Sequence, residues 1–118
     1  MHLTHILAFK FTSMTQITLV CYRPKEGKTE ALLELVKDHV PILLKEQLVT
    51  GRIPIIMQAK DGTVLEVFEW ISEEAINKAH SNPAVLKMWE RFNEACDYVA
   101  PTALAECQHI FSGFQAIN

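Results

Sequence analysis

The chain has 118 residues, 49% apolar and 21% charged, with eleven basic and fourteen acidic side chains and a net charge of −3. That length allows one domain with a substantial core and is too short for two. The acidic balance and the lack of a basic stripe argue against nucleic acid and anionic membrane as partners, and no apolar run approaches the ~18 residues of a membrane span.

Cys21, Cys96 and Cys107 are odd in number and widely spaced. They form neither a disulfide framework nor a zinc pair, and free thiols in a reducing cytoplasm are expected. Residues 1–13 are apolar but lack the basic start and small-residue cleavage site of a signal peptide. They read as an N-terminal extension, and residues 14–118 as the folded domain.

Ile17 to Tyr22 (ITLVCY) is rich in β-formers and is ended by Arg23-Pro24, which predicts the first strand. Thr29 is a possible N-cap for a helix running to about Gln47. Its apolar stripe is Leu32, Leu35, Val36, His39, Val40 and Leu43, and Pro41 predicts a kink near 37–40. A second strand over about 54–59 joins a third through the Lys60-Asp61-Gly62 turn, as a hairpin. Ser72 with Glu73 and Glu74 opens a short helix ending near Ser81. Asn82 and Pro83 then supply the N-cap and first position of another. Its stripe, Val85, Trp89, Phe92, Cys96 and Val99, carries it to Pro101. A fourth strand is expected over roughly 107–117.

The predicted order is β-α-β-β-α-β, a ferredoxin-like α+β fold with an antiparallel sheet and helices on one face. Strands one to three are nevertheless apolar on both faces. An open apolar sheet face marks an interaction surface, and a second copy of the same face is the cheapest cover, so a homodimer is expected.

The third strand carries the chemistry. Alternation puts Val64, Glu66, Phe68 and Trp70 on one face and Leu65, Val67, Glu69 and Ile71 on the other. A carboxylate among large apolar neighbours either reaches water or has its ionisation disfavoured. Glu66 is thus a candidate general base, with a salt bridge to Arg52, Lys60 or a base of a partner subunit as the structural alternative. Trp70 is a candidate catalytic-site stacking platform for a planar substrate or, equally, a large core filler. His80 stands by the helix break and His39 on the inner stripe beside Pro41, so both are candidate pocket groups that would supply polarising hydrogen bonds in catalysis. The structural alternative for His80 is an imidazole bonding the carbonyls around the break. Trp89 and Phe92 read as core, or as pocket lining if a cavity exists, and Met57 as a further substrate contact. Glu69 reads as an edge or interface carboxylate. There is no phosphate-cradling glycine loop, nucleophile elbow or carboxylate–histidine metal spacing, so neither a metal nor another cofactor is expected.

The strand order, DGTVLEVFEW followed by SEEAINKAH, and NPAVLKMWERF resemble the antibiotic biosynthesis monooxygenase family of the dimeric α+β barrel superfamily. That resemblance implies cofactor-independent oxygenation of a small electron-rich aromatic or quinol. In polyketide-oxidising members an Asn precedes a Trp by four residues on the third strand. Trp70 matches the Trp, but Glu66 stands at the Asn position and Ile76 where a Tyr follows. The Asn and His of haem-degrading members fall near Val20 and Trp89, so haem degradation is not expected. The competing expectation is a non-catalytic dimer that binds a small apolar ligand or serves as a structural module.

Overall fold

In the computed structural model, which describes residues 14–118, five antiparallel strands form one open sheet accompanied by three α-helices. In chain order these are β1 (Gln16–Pro24), α1 (Thr29–Lys45), β2 (Ile55–Gln58), β3 (Val64–Trp70), α2 (Glu73–Ala79), α3 (Pro83–Ala95), β4 (Cys96–Val99) and β5 (Gln115–Ala116). Two 3-10 turns, Pro101–Ala103 and Ala105–Gln108, lie between β4 and β5. The sheet order is β4-β1-β3-β2-β5. The extension expected over 1–13 lies outside the described residues.

The buried residues of α1 are the six of the predicted stripe. The helix begins one residue earlier in role than expected: Lys28 occupies the N-cap without a side-chain bond, and Thr29 is already helical. It continues through the exposed Pro41 and stops in a Schellman motif. Leu48 N–H bonds Leu43 O at 3.0 Å, Gln47 N–H bonds Leu44 O at 2.9 Å, and Gln47 takes the left-handed φ of 61°. Leu43 and Leu48 both enter the main core, supplying the apolar contact that accompanies this motif.

The hairpin closes at Ala59 and Thr63, where the amide of the first bonds the carbonyl of the second at 2.8 Å, with Gly62 at φ 96° in the turn. Ser72 Oγ caps α2 by accepting from Ala75 N–H at 3.0 Å. Asn82 Oδ1 caps α3 from Val85 N–H at 3.1 Å, while its Nδ2 donates to Glu46 Oε1 at the end of α1. Pro83 sits in the first turn, where its missing N–H costs nothing.

Two expectations are corrected. The stripe through Cys96 and Val99 does not remain helical, because α3 ends at Ala95 and residues 96–99 pair with β1 as β4. Cys, Tyr and Val suit a strand, and an edge of β1 stands free to receive them. Accordingly, residues 107–117 are not the fourth strand. Only Gln115–Ala116 pair, with β2.

The second sheet face is also less open than expected. The segment after β4 folds back across it, and Leu104, 0% exposed, packs with Cys21, Ala59 and Leu65, joined by Met57, Val99, Cys107 and Phe114. The other half of the face stays bare, with Ile17 61% and Ile55 57% exposed beside Leu19.

Candidate active site

β3 lies between β1 and β2, with Glu66 opposite Val20 on one side and Ile56 on the other. This central position buries Glu66 completely (0% exposed) on the face that the helices cover. A carboxylate there needs strong donors, and two neighbouring elements supply them. Tyr22 of β1 donates its hydroxyl proton to Glu66 Oε1 at 2.7 Å, and His39 Nδ1 of α1 lies 2.7 Å from the same oxygen. Glu66 Oε2 is buried with no partner among the described residues. Burial, then the adjacent carboxylate, pushes the Tyr22 phenol far above its ordinary value, so it keeps its proton and acts as a donor.

Aromatic rings hold this network in place. Tyr22 stacks on Phe92 at 5.0 Å, and the His39 ring meets Phe68 and Phe92 edge-on at 5.1 and 5.3 Å. In front of them opens a cavity of about 390 Å³, within the ~300–1,000 Å³ range of ligand sites. Its walls come from β1 (Thr18, Val20, Tyr22), β3 (Phe68, Trp70), α1 (His39), α3 (Trp89, Phe92, Asn93), His80 after α2, and Tyr98 of β4. Among the described residues, no lysine, arginine or carboxylate lines it. At the rim, the exposed His80 holds Ile76 O through Nδ1–H at 2.8 Å and meets the Trp89 ring edge-on at 5.2 Å. Burial, then the neighbouring Cys96, pushes the Tyr98 phenol up to about 12.

The chain matches no protein-family model, and no curated protein is significantly similar to it.

Of the residues singled out in the sequence, His39, Trp70, His80, Trp89 and Phe92 share the cavity wall. Glu66 stands behind that wall, paired to His39 and Tyr22 rather than to Arg52 or Lys60. Met57 is opposite Leu65 in register and packs with Leu104's cluster on the other sheet face, away from the cavity. Glu69 on that face accepts from Thr15 at 2.7 Å, Thr50 at 2.9 Å and Arg52 Nε at 3.0 Å.

Thr18, Tyr22, Asn93 and Tyr98 also line the cavity, and no sequence motif marks them. Alternation along β1 already puts Thr18, Val20 and Tyr22 on one face. What could not be read was the β1–β3 register that brings the phenol to Glu66. Among the described residues, no group of three or more His, Cys, Asp or Glu side chains is placed to hold a metal ion.

Proposed function

We propose that the protein is a cofactor-independent oxygenase of the antibiotic biosynthesis monooxygenase type, acting on a small electron-rich aromatic or quinol. One observation carries this reading. An aromatic cavity of about 390 Å³, with no lysine, arginine or carboxylate among the described residues of its wall, backs onto a buried carboxylate–histidine–tyrosine network. Such a cavity suits a planar, uncharged substrate, and the network supplies the basic function that oxygenation requires. Removing a proton from an anthrone-type methylene makes an anion electron-rich enough to reduce O2. The peroxide formed at that carbon then collapses to a carbonyl and water, so that CH2 and O2 become C=O and H2O.

The strand order β4-β1-β3-β2, with β5 added at the edge, fits a ferredoxin-like core. The bare half of the second face, around Ile17, Leu19 and Ile55, fits a homodimer interface. Reduced thiols at Cys21, Cys96 and Cys107 suit a cytoplasmic protein.

Oxygen consumption with a panel of anthrones and hydroquinones, in the presence of a chelator, tests the activity. Chelator-resistant turnover that collapses in Glu66→Gln is the expected result. A folded protein that turns over none of them defeats the oxygenase reading. It would favour a non-catalytic dimer that binds a small apolar ligand, a reading supported by the placement of Glu66 behind the cavity wall rather than on it.

A further inference from the structure

We infer that His39 is the proton acceptor of this cavity, that Glu66 is its positioning partner, and that the group it deprotonates is an uncharged phenol or naphthol. The inference deepens the proposed function and rests on its claim that the cavity takes a small electron-rich aromatic or quinol.

The geometry separates the two residues. Glu66 is sealed from the cavity, whereas His39 is on its wall. Two groups converge on one carboxylate oxygen, and Tyr22 reaches it as an O–H donor. An oxygen that accepts from the phenol is best completed by a second donor, which assigns the Nδ1–H tautomer to His39. Nε2 is then left with a bare lone pair. It has no hydrogen-bond partner among the described residues and is not among the polar atoms sealed away without one.

The proton step follows. The substrate O–H bond breaks, the proton moves to His39 Nε2, and the phenolate electron pair stays on the ligand oxygen. The imidazolium formed faces the Glu66 carboxylate across 2.7 Å, which stabilises it as charge develops. No oxidant is involved in this step.

The other ionisable groups near His39 do not compete well. From β3 it faces Glu66, from β1 Tyr22, and from α3 only the Phe92 ring. The remaining ionisable groups on the described wall are His80, whose Nδ1 is engaged by Ile76 O, and Tyr98, whose phenol is pushed up by burial and stays protonated. The described lining carries no Lys or Arg to attract a substrate that arrives as an anion, so it favours a neutral one whose proton is removed inside.

The probe is a series of nitro-substituted naphthols of graded acidity, whose ionised form has its own visible band. Bound to the full-length wild-type protein, the naphthol should ionise with its apparent acidity raised by about tenfold or more. The shift should vanish in His39→Gln and shrink in Glu66→Gln, recover partly in Glu66→Asp, and persist in His80→Asn, with affinity changing far less. Imidazole nitrogen NMR of the unliganded wild type, which needs no variant to fold, should find His39 protonated at Nδ1 and bare at Nε2.

An Nε2–H tautomer, ionisation that survives His39→Gln, loss of ionisation only in His80→Asn, or no binding of any naphthol would each overturn the assignment. An ionised probe in a protein that consumes no oxygen with any substrate would support His39 as acceptor and defeat the oxygenase reading alone.

Discussion

Among the described residues, Glu66 has two hydrogen bonds on one oxygen and none on the other, an uneven arrangement for a fully buried carboxylate. Each remaining bond therefore matters. Tyr22→Phe keeps the stacking on Phe92 and removes one donor to a charged acceptor. It should cost about 1.5–3 kcal/mol in denaturant unfolding. An unchanged midpoint would show that the phenol is not needed there. Glu69 differs, because three donors satisfy it. The bonds from Thr15 and then Thr50, with Arg52 adding less, hold its carboxyl below the usual range. A folded-state value depressed in this way stabilises the protein above the unfolded value near ~4.3, and the benefit is lost as pH falls through the folded value. Melting temperature should therefore drop on acidification below about pH 4, and Glu69→Gln should flatten that acid limb. The Cys96 thiol, pushed up to about 11 by burial and then by Asp97, and the buried Cys21, also raised by burial, should resist alkylation. The half-buried Cys107 should label first, as mass spectrometry of the native protein would show.

At the scale of elements, local chemistry decides where helices stop. The end of α1 depends on a non-glycine residue in left-handed backbone. Gln47→Gly relieves the Cβ strain at that position and should raise stability by up to about 1 kcal/mol. A drop would mean that the Gln47 side chain contributes a contact worth more than the strain. The helix positions were legible because period and caps agreed. The α1 stripe, Ser72, and Asn82 with Pro83 each combine an apolar repeat with a boundary signal. The end of α3 was not legible, because Cys96 and Val99 continue the helical spacing and also suit a strand. The choice was made by the free edge of β1, which only the assembled sheet supplies. The site divides in the same way. The face shared by Glu66, Phe68 and Trp70 follows from alternation, whereas the Tyr22 contact depends on register across 44 residues of chain.

For the molecule as a whole, the sheet has one face under helices and the other half-covered by its own chain after β4. The bare remainder, with Ile17, Leu19 and Ile55 exposed around the Glu69–Arg52 pair, predicts association through that half. Light scattering should give a dimer, and Leu19→Glu should give a monomer with melting little changed for the folded subunit. A wild-type monomer at micromolar concentration would remove the interface. The division of the sheet into two faces also fixes what light can report. The chain has two tryptophans, Trp70 and Trp89, and both stand on the cavity wall, one deep against Phe68 and one at the rim against His80. Intrinsic emission therefore comes wholly from the surroundings of the cavity. A molecule entering it will quench or shift that emission without any label, whereas events on the opposite face, association included, will be nearly dark.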